Sequence, residues 1–146
     1  MKLKLPLIAA FVAVLGLTAC GGGSSGSTAG TTVESPLALT KSDTVIGTGA
    51  VAALGNQITV NYTLWLYSST AAGFKGTQIE SGSAVTFTLA SGSLIEGWVQ
   101  GIPGMKVGGK RTLVIPGSLG YGAAGFGTKI PPNAGLVFDI ELTAVK

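Results

Sequence analysis

Whatever chemistry this chain does, it does without histidine and with one cysteine. None of the 146 residues is His, which excludes His-based acid–base catalysis and His-ligated zinc. The single Cys20 has no partner for an internal disulfide. The most suggestive side chain is Tyr121, a phenol at the head of the stretch YGAAGFGTKIPPNAG. Gly122, Gly125 and Gly127 break regular structure there, and Pro131-Pro132 lacks two backbone donors. Yet the same stretch carries Phe126 and Ile130. An irregular loop that is also apolar covers a core or walls a pocket. A phenol in such a glycine-rich loop is the strongest functional candidate the residues alone offer.

The elements that must hold this loop are strands. Leu136, Phe138, Ile140 and Leu142 alternate with Val137, Asp139, Glu141 and Thr143, so the chain after the loop is a half-buried strand. Gln57 to Tyr67 alternates likewise, with Ile58, Val60, Tyr62, Leu64 and Leu66 on one face. Tyr62 there needs a partner for its hydroxyl. Lys110 to Ile115 is a strand with Arg111, Leu113 and Ile115 on one side, and Val85, Phe87 and Leu89 form a short one. Pro36 to Ala53 is a weak strand region. Ser68 to Gly73 reads as an inserted loop that separates the Gln57 strand from Gln78-Ile79-Glu80-Ser81, where Glu80 reads as a solvated charge.

Ser91 to Met105 is the one helix candidate. Ser93 and Glu96 have the spacing of a capping box, and Leu94, Ile95, Trp98, Val99 and Ile102 recur at helical spacing. Gly101 and Pro103 limit it to about two turns, too short to stand without a sheet. These apolar residues, with Phe87 and Phe138, read first as core. Strands, one short helix and a long loop give an α+β domain, an antiparallel sheet wrapped around a helix.

Length allows one domain of ordinary size. Charged residues are 10% and hydrophobic residues 46% of the chain, which excludes a disordered acidic tail. Lys2 and Lys4 precede an apolar run from Leu5 to Leu17, as in a secretory leader, and without them seven basic residues face six acidic ones. The net charge of +3 thus gives no basic patch for nucleic acid. Leu17-Thr18-Ala19-Cys20 resembles the lipobox of bacterial lipoproteins, which implies residues 1–19 as a cleaved leader and an acylated Cys20. GGGSSGSTAGTT, from Gly21 to Thr32, is a flexible composition. A dozen such residues span roughly 20 Å as a random coil. Residues 20–35 are therefore expected to tether a domain of residues 36–146 to a membrane. Position 21 is Gly rather than an acidic retention signal, which favours the outer membrane if the source has two.

From Val45 to Lys146 the chain resembles the FKBP-type peptidyl-prolyl isomerases. The resemblance rests on VNYT (Val60–Thr63), LIEGWVQGIPGMKVGGKR (Leu94–Arg111), LVIP (Leu113–Pro116), YGAAG and IPPNAGLVFDIEL. It implies a curved antiparallel sheet over one short helix with a pocket between them, acting as a monomeric domain on proline-containing polypeptides, without metal or cofactor. It also implies site residues: Tyr62, Glu80, Trp98, Tyr121 and Phe138 at the catalytic positions, with Ile79, Val85, Phe87, Leu94, Ile95, Phe126 and Ile130 as substrate-binding positions. Trp98 would form the floor. The Tyr121 hydroxyl and the Ile95 N–H would orient a substrate carbonyl, and Phe126 would overhang the pocket.

Rotation about an X–Pro bond breaks no bond. The uncatalysed barrier is roughly 18–20 kcal/mol. Twisting the amide removes resonance and reduces its dipole, so an apolar pocket disfavours the planar form relative to the twisted one. The chain departs from its family where Phe-Asp-Ser is common and Ile79-Glu80-Ser81 stands, and at Leu64, where a small residue is usual. The first departure lowers the expected turnover and makes weak binding of tacrolimus or rapamycin the expectation. It also leaves a competing reading, a proline-peptide binding or chaperone module with little turnover.

Overall fold

The computed structural model describes residues 33–146. The expected leader, the acylated Cys20 and the Gly/Ser segment to Thr32 lie outside the described residues.

Five strands form one antiparallel sheet: β1 (Thr40–Val45), β2 (Gln57–Tyr67), β3 (Lys75–Thr88), β4 (Lys110–Ile115) and β5 (Leu136–Val145), in the order β1-β4-β5-β2-β3. The sheet wraps around one short helix, α1 (Glu96–Gly101), as expected. The inner face is the alternating set: Ile58, Val60 and Leu64 of β2, Leu113 and Ile115 of β4, and Leu136, Phe138, Ile140 and Leu142 of β5 are all buried. Val137, on the opposite face of β5, is buried too. Its cross-strand neighbours are Val114 and Trp65, so apolar side chains flank it in mid-sheet. The edge strand β1 is exposed throughout and carries Lys41 and Asp43, charges that discourage edge-to-edge pairing.

Helix α1 is held close to the sheet because two glycines face it. A Cβ at Gly97 would lie 2.5 Å from Ile115 Cγ2, and one at Gly101 2.7 Å from Leu113 Cδ2. This approach lets Trp98 and Ile102 sink into the core, at 3% and 0% exposure. Arg111 closes the other end of the helix. Its guanidinium donates to the Gly101 carbonyl at 2.7 Å and pairs with Asp43 at 2.6 and 3.0 Å. A buried guanidinium is tolerable only when satisfied in this way.

Two elements differ from expectation. The helix has six residues, and Ser93 does not cap it: the boundary residue is Ile95, with no side-chain cap. The Ser93 N–H closes a turn on the Ala90 carbonyl at 3.1 Å, which delays the helix by two residues. The Glu96 carboxylate instead accepts from Ser91 Oγ at 2.6 Å. Strand β3 is continuous over 14 residues rather than two short pieces. It bends through register shifts against β2 and through Ala84 at φ 53°, whose N–H donates to Asn61 Oδ1 at 2.7 Å. Such irregularities redirect a strand without ending it.

Candidate functional site

Between the inner face of the sheet, α1 and the β4–β5 loop lies a cleft of about 700 Å³. Strands β2 and β5 supply Tyr62 and Phe138, and β3 supplies Glu80 and Phe87. The turn into α1 gives Gly92, Ser93, Leu94 and Ile95, and the helix itself gives Glu96 and Trp98. The loop adds Gly120, Tyr121, Ala124 and Gly125. A smaller depression of about 430 Å³ lies among Thr44, Asn61, Lys75, Asp139 and Glu141 on the polar face of the sheet. Polar groups there bond one another: Lys75 pairs with Asp139 at 2.6 Å, and Asn61 donates to Glu141 at 3.3 Å.

The floor of the large cleft is aromatic. Three rings stand nearly perpendicular to the Trp98 indole: Tyr62 at 5.5 Å and 82°, Phe87 at 5.3 Å and 82°, and Phe138 at 5.2 Å and 81°. Edge-to-face geometry suits the ring quadrupoles, and these contacts add to area burial. The indole N–H is buried and finds no protein acceptor among the described residues.

Two phenols reach this floor with different commitments. The Tyr62 hydroxyl donates to Glu80 Oε1 at 2.8 Å. Burial, then this hydrogen bond and the negative charge, push its pKa up to about 12. Among the described residues the Tyr121 hydroxyl has no partner, and burial followed by the Glu80 charge raises its pKa as well. Both phenols are therefore protonated donors at neutral pH, and only Tyr121 is uncommitted. Its loop is cross-braced. Asn133 N–H donates to the Gly122 carbonyl at 2.7 Å, and Phe126 and Ile130 exchange backbone bonds of 2.8 and 3.1 Å. Gly125, at φ 63°, must be glycine because a Cβ would run into the Ile130 carbonyl.

The structure thus brings Tyr62, Glu80, Phe87, Leu94, Ile95, Trp98, Tyr121 and Phe138 to one cleft. Ile95 stands just before α1 rather than in its first turn. Its carbonyl accepts from Trp98 N at 2.9 Å, and its own N–H precedes the helical ladder. Four expected site residues lie outside the lining. Phe126 is 56% exposed, with its ring 5.1 Å from that of Tyr121. Ile130 is buried in the core beneath the loop. Ile79 packs against the core from β3. Val85 is paired with Val60 and stands beside Gly82, which has the Tyr62 ring as its other neighbour. Conversely, Gly92, Ser93, Gly120, Ala124 and Gly125 shape the mouth by being small, a property with no chemical signal in sequence. Glu96 was legible only as half of a helix cap.

Comparison with known proteins shows the family of the chain. The family described as "FKBP-type peptidyl-prolyl cis-trans isomerase" matches residues 49–143. The chain is 46% identical over 99 residues to the FK506-binding protein of Neisseria meningitidis serogroup A, covering 68% of this chain and 88% of that one. It is 47% identical over 96 residues to the peptidyl-prolyl cis-trans isomerase FPR2 of Saccharomyces cerevisiae, covering 63% and 67%. A crystal structure of a peptidyl-prolyl cis-trans isomerase from Pseudomonas syringae pv. tomato superimposes with a TM-score of 0.64 at 32% identity, covering 74% of this chain and 75% of that one. The fold is that of the solved FKBP-type structures. The chain belongs to the FKBP-type peptidyl-prolyl cis-trans isomerase family.

Proposed function

We propose that this enzyme turns X–Pro bonds of exported polypeptides in the Trp98 cleft, while a lipid on Cys20 holds it at the cell envelope. The observation that carries the site assignment is a phenol without a hydrogen-bond partner among the described residues, Tyr121, lining the same cleft as the rings of Tyr62, Phe87, Trp98 and Phe138. A prolyl ring would rest on Trp98 between Tyr62, Phe87 and Phe138. Tyr121 Oη and the Ile95 N–H would hold a substrate carbonyl. The low polarity around the amide favours its twisted form, and each 1.4 kcal/mol of that preference is worth about tenfold in rate.

Glu80 acts at one remove. By accepting from Tyr62 it fixes that ring against Trp98, the task its shorter family counterpart would perform. This bond favours turnover over the alternative of a binding or chaperone module. Phe126, beside Tyr121 and exposed, contacts the residue before proline. Ile79, Val85 and Ile130 support the wall from behind. Tacrolimus or rapamycin binds weakly, since Ile79 backs the wall with an aliphatic side chain where the family commonly has a ring. The envelope assignment rests on the Lys2–Leu17 leader and the LTAC motif, and Gly21 favours the outer membrane.

Two experiments test the proposal. A protease-coupled assay with a proline tetrapeptide should detect isomerisation that Tyr121→Phe reduces. Mass spectrometry of the envelope form should find a diacylated Cys20 as the first residue. A Cys20→Ser chain that remains membrane-bound would contradict the anchor.

A further inference from the structure

The loop carrying Tyr121 runs from Pro116 to Gly135, and its two ends meet. A Cβ on Gly117 would strike the Asn133 carbonyl at 2.5 Å, so the first and last turns of the loop lie in contact. Across this junction passes a segment that precedes the sheet. Ser35 Oγ accepts from the Gly117 N–H at 2.9 Å, and the Glu34 carbonyl accepts from the Gly135 N–H at 2.8 Å. One residue on, Pro36 Cδ would lie 2.5 Å from a Cβ on Gly135, so only glycine admits the segment there. The Glu34 carboxylate then reaches a third element. It accepts from the Ser69 N–H at 2.5 Å and from Ser69 Oγ at 3.1 Å, in the loop between β2 and β3.

We propose that Glu34 and Ser35 are positioning residues of the isomerase: they clamp both ends of the Tyr121 loop and fix them to the β2–β3 loop. This rests on the assignment of Tyr121 to the substrate site. Gly117 is buried and stands four residues before Tyr121. Gly120, Tyr121, Ala124 and Gly125, all just beyond the clamp, form one wall of the cleft. The loop's inner braces, Asn133 to Gly122 and Phe126 to Ile130, hold its shape but do not attach it to the sheet. Attachment comes from the strand ends, from the Tyr67 N–H on the Gly135 carbonyl at 2.8 Å, from Ile130 and Ala134 in the core, and from the clamp, which alone among the described residues holds the Gly117 end by a side chain. Without Ser35 Oγ the part-buried Gly117 N–H loses its partner, and the loop loses that hold on its first turn. The clamp touches no substrate. It sets where the Tyr121 hydroxyl stands relative to Trp98.

The test uses the full-length chain in detergent, with Ser35→Ala, Ser35→Thr and Glu34→Ala. Asp43→Ala serves as a control that lowers stability from the far edge of the sheet. Three readouts are taken: kcat/KM for a proline peptide, melting temperature, and the NMR signals of the Tyr121 ring and the 117–125 amides. Ser35→Ala should lower kcat/KM by about 3- to 10-fold, the worth of one hydrogen bond. It should also shift the Tyr121 signals. Ser35→Thr, which keeps the hydroxyl, should restore both, and Glu34→Ala should resemble Ser35→Ala. Asp43→Ala should lower the melting temperature and leave the Tyr121 signals in place. The clamp is overturned if Ser35→Ala leaves the Tyr121 signals unmoved, or if its activity loss matches that of the control at equal melting temperature. A wild-type chain without isomerisation would sink the functional reading, while the Tyr121 signals would still decide the clamp.

Discussion

Tyr62 Oη donates to Glu80 Oε1 at 2.8 Å, joining residues 18 positions apart on the neighbouring strands β2 and β3. The bond holds the Tyr62 ring edge-on to Trp98, and the carboxylate's charge is felt at Tyr121 as well. One acidic residue thus adds to burial in raising the pKa of both phenols of the cleft. Glu80→Gln retains an acceptor and removes the charge. Both phenols should then titrate lower in an absorbance titration of phenolate, with kcat/KM at neutral pH changed less than about 3-fold, within the worth of one hydrogen bond. A Tyr62 pKa unchanged at about 12 would contradict this coupling.

The same shift has a consequence for stability in base. The folded Tyr62 pKa is raised to about 12, whereas an unfolded tyrosine titrates near ~10. The folded state therefore holds its proton longer. This contribution is complete below about pH 10 and is lost as pH rises toward 12. Tyr62→Phe should flatten that part of a melting-temperature profile.

In acid the sensitive group is Asp43. The Arg111 hydrogen bond holds its carboxyl below the usual range. Its stabilisation is present above about pH 4 and is lost as pH falls through the lowered value. Asp43→Ala strands a guanidinium whose side chain is 9% exposed, while Asp43 itself is 39% exposed. The expected loss is about 1.5–3 kcal/mol, the range for a hydrogen bond to a charged group. It falls short of the roughly 3–5 kcal/mol of a fully buried pair because water reaches the Asp43 side. Urea denaturation at pH 7 and pH 3 checks both statements.

The close seat of α1 is tested by Gly97→Ala. The added methyl meets Ile115 side-chain atoms at 2.5 to 2.8 Å. Overpacking of this kind costs about 1–3 kcal/mol. Because Trp98 is the next residue, the variant should also alter tryptophan fluorescence. A Gly97→Ala chain with unchanged stability would mean that the helix rides higher on the sheet than described.

Much of this fold was legible because β2, β4 and β5 alternate cleanly around a one-sided core, and alternation fixes which face is buried. Strand β3 was not. Its sequence shows only two short pieces, and the Asn61–Ala84 bond at the bend between them is long-range. The helix start was misplaced because Ser93 and Glu96 have cap spacing, while the Glu96 carboxylate found Ser91 instead. In the site, the large residues announced themselves. The small ones that open its mouth did not, since Gly120 or Ala124 in a sequence carries no sign of what approaches it. The Tyr62–Glu80 bond was half legible: the Tyr62 hydroxyl needs a partner, but Glu80 reaches it only once β3 has paired with β2.

The measurement that bears most directly on the account is isomerisation of a proline tetrapeptide by wild type, Tyr121→Phe and Trp98→Ala, each with a melting curve. Wild type should accelerate the reaction. Tyr121→Phe should lower kcat/KM by the worth of one hydrogen bond, about 0.5–1.5 kcal/mol, with the melting temperature nearly unchanged. Trp98→Ala should abolish activity and lose about 3–5 kcal/mol of stability. A Tyr121→Phe enzyme with full activity, beside an active wild type, would contradict the claim that the uncommitted hydroxyl over the aromatic floor is what holds the substrate.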